Sequence, residues 1–176
     1  MNFKITKKIC IEIDDKIIAA YDACSVERVY VPNKESGEIF KVMKSGGKYN
    51  LVKIFDSGAI RETDFKHCKA ISDFDEDFMA KVFFYDMNRG KISHNYIGTD
   101  LKLLFEKDKY VEVEKVSGGK FNTKFIVAIN KVSEEGASSR QKKFYGVVNK
   151  NGLEILECKY SSITYNPKTD TFDTTI

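Results

Sequence analysis

A strand–turn–strand–aromatic pattern recurs along this 176-residue chain, and it limits the possible folds more than any composition value does. The last copy is the clearest. Apolar residues at Val147-Val148 and Leu153 to Leu156 flank Asn149-Lys150-Asn151-Gly152. Asn and Gly tolerate positive φ, so this reads as a tight hairpin. Tyr160 and Ile163 follow, and Phe172 and Ile176 close the copy. The stretch Tyr49 to Ile60 repeats the layout, with Asp56-Ser57-Gly58 as its turn, Phe65 as its aromatic anchor and Phe78 to Val82 as its closing run. A third copy runs from His94 to Leu103, with Tyr110 as anchor and Phe125 to Ile129 closing it; Lys102 stands in place of the turn glycine.

The closing phenylalanines Phe78, Phe125 and Phe172 are each 47 residues apart, and each has an aliphatic residue four positions on: Val82, Ile129, Ile176. The anchors Tyr21, Phe65, Tyr110 and Tyr160 follow at intervals of 44, 45 and 50 residues. The first copy is the most degenerate, as a capping copy of a repeat array often is. Period-two alternation in Ile9 to Ile13 and Tyr110 to Val116, with Pro only at 32 and 167, points to strands throughout. The expected fold is all-β. About four degenerate antiparallel β-hairpin repeats stack into a twisted sheet, solenoid or barrel-like domain. The approximate units are 1–46, 47–90, 91–141 and 142–176 of a single domain. One short helix is expected at Asp14 to Ala23, where Ile17, Ile18 and Tyr21 lie at helical spacing.

The net charge of +3 is far from the footprint of a dedicated DNA binder and excludes a strongly acidic nucleic-acid mimic. No run of eighteen apolar residues is present, so no membrane partner is expected. Lys4, Lys7 and Lys8 are followed by Glu12 and Asp14, which break any export signal, so a cytoplasmic location is expected. Cys10, Cys24, Cys68 and Cys158 form no CxxC pair, and His67 and His94 add no ligand spacing, so neither a metal nor another cofactor is expected.

The frame aromatic-Gly-apolar-apolar-(Asp/Asn)-x-x-Gly, with Tyr eight residues after the turn glycine, is best carried by Tyr145-Gly146, Asn149, Gly152, Tyr160 and Ile163. It resembles the WG β-repeat family. The acidic stretch before Phe78-Met79-Ala80-Lys81-Val82 is similar to that family's closing segment. The chain departs from the family in having no tryptophan, with Tyr145 at the Trp position, and Asn50 replaces Gly in the second copy. The resemblance implies a repeated antiparallel β unit used as an interaction scaffold, with no catalytic residues.

Two sets of side chains stand out as binding candidates. Lys44, Lys48, Lys120, Lys124, Arg140, Lys142 and Lys143 lie in basic stretches, and loops on one side of a stack gather into a stripe that meets phosphates or an acidic surface. Asp73, Asp75, Glu76 and Asp77 form an acidic run whose spacing does not fit a calcium loop. No nucleophile, phosphate loop or carboxylate pair carries an enzymatic signature. The expected function is therefore a non-catalytic protein-binding module. A small inhibitor or an immunity or anti-defence factor of bacterial or phage origin fits this description. The alternative is a nucleic-acid-associated protein that uses the basic stripe. The Thr171 to Ile176 strand offers an edge for strand addition or an edge-to-edge homodimer.

Overall fold

The computed structural model describes residues 8–13, 16–32, 37–63, 65, 67–86, 90–117, 122–132 and 141–176; for residues 8, 12, 13, 16–22, 86 and 117 it describes the backbone alone. The described residues form fourteen strands and no helix. Each strand pairs antiparallel with a neighbour in sequence, which is the simplest way to satisfy backbone groups without crossovers.

The strands build four units, each of two hairpins except the third, whose first hairpin has only one full strand. In the first, β1 (Lys8–Ile13) pairs with the first half of β2 (Lys16–Arg28), and the second half of β2 pairs with β3 (Glu38–Lys44). The second has β4 (Lys48–Ile54) with β5 (Ile60–Glu62), then β6 (Cys68–Ile71) with β7 (Met79–Asp86). In the third, β8 (Lys91–Gly98) meets only an isolated bridge at Leu103, and β9 (Glu112–Ser117) pairs with β10 (Lys124–Val132). The fourth has β11 (Gln141–Asn149) with β12 (Glu154–Tyr160), then β13 (Ser162–Asn166) with β14 (Thr171–Thr175).

Three junctions join the units. The last strand of one pairs with the first of the next: β3 with β4, β7 with β8, β10 with β11. The junction strands β4 and β8 are buried on both faces. On β4, Leu51 packs with Cys68, Ile71, Ala80, Val82 and Ile97, while Val52 and Ile54 pack with Ile11, Phe40 and Val42. On β8, Ile97 belongs to the first of these cores, and Tyr96 to a third core with Phe125, Val127 and Val148. Apolar runs such as Leu51-Val52 follow from this, because neighbouring residues point into successive cores and simple alternation no longer applies.

Four turns share one geometry. Phe55 N donates to Ala59 O and Gly58 N to Phe55 O; the same two bonds link Asp75 with Met79 and Phe78, Gly98 with Lys102 and Leu101, and Asn149 with Leu153 and Gly152. The fourth residue of each turn takes positive φ: +81° at Gly58, +60° at Phe78, +60° at Leu101 and +77° at Gly152. This is a type I turn followed by a left-handed residue, a common three-residue hairpin connection.

The turns correct three readings of the sequence. The turn-glycine position of the third copy is held by Leu101, not Lys102, since the hydrogen-bond pattern counts from Gly98. Phe78 is likewise a turn residue. Val82 pairs with Ile71 as Val127 pairs with Val113, which makes Ala80 the counterpart of Phe125. The second copy is therefore two residues out of the 47-residue step, while Phe125 and Phe172 do correspond. Counted back from the turns, Val52 and Asn95 stand where Gly146 stands, so Asn50 is not the glycine replacement. The helix expected over Asp14 to Ala23 is strand β2 from Lys16 on, because this stretch supplies ladder partners to β1 and then to β3.

Gly146 is glycine for lack of room. A Cβ there would lie 2.6 Å from Leu156 O and 2.7 Å from Cys158 Sγ, because β12 bulges against β11 at this point. At the matching place in the third unit, where no second strand forms, the Asn95 side chain supplies the missing ladder. Its Nδ2 donates to Phe105 O at 2.9 Å, and its Oδ1 accepts from Tyr96 N.

Candidate functional site

The acidic run is a turn brace. Asp75 Oδ1 accepts from the backbone N–H groups of Asp77 and Met79, as Asn149 Oδ1 accepts from those of Asn151 and Leu153. Lys115 then reaches across from β9 and pairs with both Asp75 and Asp77. Burial alone would lower the Lys115 pKa, but the hydrogen bonds and charges of the two carboxylates outweigh it and hold the ammonium above its usual range. Asp73 and Glu76 are exposed on the same connection. Sequence reasoning missed Lys115 as the partner because the two segments are joined only by the fold.

Among the described residues, the basic candidates do not gather into one free stripe. Lys44 and Lys48 face each other across the β3–β4 hairpin, where Lys69 Nζ donates to Gly46 O. Lys124 is paired with Asp170. Lys142 and its cross-strand partner Lys131 both lie over the ring of Phe144, at 5.5 and 5.6 Å from its centroid. Lys143 is paired with Glu112 at 2.5 Å. Lys120 and Arg140 lie outside the described residues.

Lys143 opens onto a groove of about 470 Å³ at the junction of the third and fourth units. It is lined by Lys91, Ile92 and Ser93 of β8, by Asp108 and Tyr110 to Glu112 ahead of and within β9, and by Asn130 of β10 with Gln141 and Lys143 of β11. Lys91 Nζ donates to Gln141 Oε1 at 2.8 Å across it. Glu112 also accepts from the Tyr145 hydroxyl, at 3.5 Å. Ile92 on the wall is 59% exposed, and so is Val132, the cross-strand partner of Gln141. The groove therefore offers both charge signs, hydrogen-bonding amides and uncovered apolar surface. A second hollow, of about 340 Å³ around Arg28, Tyr30 and Lys53, carries fewer converging polar groups.

Beside the groove, His94 packs edge-on against Phe83 with ring centroids 4.9 Å apart. Burial pulls its pKa down and the Lys81 charge adds to this, with Glu112 and Glu114 opposing and Lys143 reinforcing. Cys68 is fully buried, and burial pushes its thiol up to about 12, so it is not a nucleophile at neutral pH. Among the described residues no group of three or more His, Cys, Asp or Glu is placed to hold a metal ion, and no helix is long and apolar enough to cross a membrane.

No family model, curated protein or solved structure matches the chain.

Proposed function

We propose that this protein is a non-catalytic binding module that takes an extended protein segment into the groove between its third and fourth units. The observation that carries the reading is the make-up of that groove: ammonium, carboxylate and amide groups already bonded to one another beside the exposed Ile92. A site for phosphates would present cations without carboxylate partners. A site with mixed polar groups around an uncovered apolar side chain suits a peptide. The resemblance to WG β-repeats, read as interaction scaffolds, supports the same conclusion.

The experiment places a photo-reactive amino acid at Ile92 and, as a control, at Leu153, which is 68% exposed on the β11–β12 turn. Cross-linking in source cells is expected to capture a protein from position 92 and not from 153. Purified partner is then expected to lose at least about tenfold in affinity for I92D, as for an interface hot spot. Equal capture at both positions, or an unchanged affinity, defeats the reading.

The nucleic-acid reading draws on one place, Phe144 under Lys131 and Lys142, where a base can stack beside two cations. Binding of mixed-sequence single strands that falls steeply with salt and is abolished by F144A would favour it.

A further inference from the structure

The junction between units defines what the two terminal strands are shaped to accept. β14 is the last strand of a unit, the role that β3, β7 and β10 play, and each of those three is paired by the first strand of the unit that follows. β1 is a first strand, the role of β4, β8 and β11. Among the described residues β14 pairs with β13 alone and β1 with β2 alone. The edge of β14 that faces away from β13 is thus the edge that β10 offers to β11.

The correspondence holds at the level of single backbone groups. Val111 N donates to Ala128 O, and Ser161 N donates to Thr175 O, so Ala128 and Thr175 turn their backbone groups inward to their own unit. Alternation then turns Phe125 and Val127 outward to β11, where they face Val148 and Gly146. Phe172 and Thr174 turn outward in the same way. The Phe172 ring is half-buried, tilted on Tyr165, where its counterpart Phe125 is fully covered by the third core that includes Val148. Neither Pro nor Lys blunts β14, whose residues are Thr-Phe-Asp-Thr-Thr.

We infer that β1 of a second copy of this chain pairs antiparallel with β14, repeating between molecules the junction that joins units within one. The contact is heterologous: the surface used on one copy differs from that used on the next, so copies add head to tail, as a filament or a closed ring, and not as an isologous dimer. This inference is independent of the groove, which lies on β8 to β11 and is left uncovered.

The test uses the full chain. Sedimentation velocity over rising concentration is expected to show species growing past the dimer. Thr174→Pro removes an outward N–H and leaves the β13 ladder intact, and it is expected to give a monomer with an unchanged far-UV spectrum. Because that variant can lose β14 altogether, a second measurement uses Cys10, which is exposed on β1. With Cys24 replaced by Ser, T174C or T175C is expected to form disulfides with Cys10 of the next copy and to yield a ladder of products. Removing Cys10 abolishes the ladder. A monomer at all concentrations, growth that ends at the dimer, or cross-links that survive loss of Cys10 (a β14-to-β14 contact) would each overturn the inference.

Discussion

Leu101 poses two demands that oppose each other, and substitutions there separate them. Its backbone sits at φ +60°, where the equivalent turns carry Gly58 and Gly152. Its side chain is 6% exposed and belongs to the core with Leu51, Ile97 and Phe74. The left-handed conformation costs a non-glycine residue about 1–2 kcal/mol. Truncating a buried leucine to alanine costs about 2–5 kcal/mol. L101A loses the packing and keeps the strain, so it is expected to fall about 3 kcal/mol below wild type. L101G loses the same packing but releases the strain, so it is expected to lie above L101A by about 1 kcal/mol. This inverts the usual order, in which glycine is the more costly of the two. Gly58 supplies the control, since a Cβ there meets nothing within 4 Å at φ +81°. G58A therefore measures the backbone term alone and is expected to cost about 1–2 kcal/mol. Urea denaturation followed by far-UV circular dichroism gives the ranking. L101A at or above L101G would refute the positive φ, and L101G at or above wild type would refute the burial.

The remaining expectations need less working. G146A is expected to destabilise by about 1–3 kcal/mol, since the new Cβ meets backbone atoms of β12 that cannot rotate away; an unchanged urea midpoint would show that β11 and β12 are not in close contact. K115M leaves Asp75 and Asp77 facing each other and is expected to cost about 1–3 kcal/mol at neutral pH, less in acid where the carboxylates protonate. In wild type the raised Lys115 pKa means that its contribution is fully present below 10.5 and is lost as pH rises through the higher folded value; the alkaline fall in stability should shrink in K115M. His94 acts in the opposite sense. Its folded pKa lies below 6.5, so the unfolded chain binds the proton more readily and stability falls as pH drops through 6.5; H94Q should remove that part of the slope between pH 7.5 and 5.5, checked by urea midpoints. A thiol reagent such as DTNB is expected to titrate Cys10 and Cys24 quickly and Cys68 and Cys158 only after denaturation.

The strands and their aromatic anchors were legible because each copy repeats the same local chemistry. The tight turn at Asn149 to Gly152 needs Asn and Gly, and those letters are visible. The turns at Phe78 and Leu101 were not legible, because a half-buried phenylalanine and a buried leucine hold the left-handed positions and no glycine marks the place. The same ambiguity set the second copy two residues out of step. Lys16 to Ala23 matched a helical spacing by coincidence, and the demand for ladder partners on both sides decided for strand. The site was less readable than the fold. Lysines 124 and 143 look available in a linear sequence, but Asp170 in the β13–β14 turn and Glu112 on β9 reach them from 46 and 31 residues away. Conversely, Ile92 and Gln141 were not singled out, because nothing in their neighbours marks a groove wall.

The strands buried on both faces carry a consequence for how such a chain can change length. Deleting one residue from β4 or β8 would swap which side chains enter the core behind and the core ahead, damaging two units in one event. The same deletion in the connections after Phe65 or Tyr110 reverses no shared strand. Insertions and deletions are thus filtered by position, and a whole unit is the smallest segment that can be gained or lost with every junction left in register. Length variation among proteins of this architecture should accordingly come in steps of one unit, with small changes confined to the loops between hairpins.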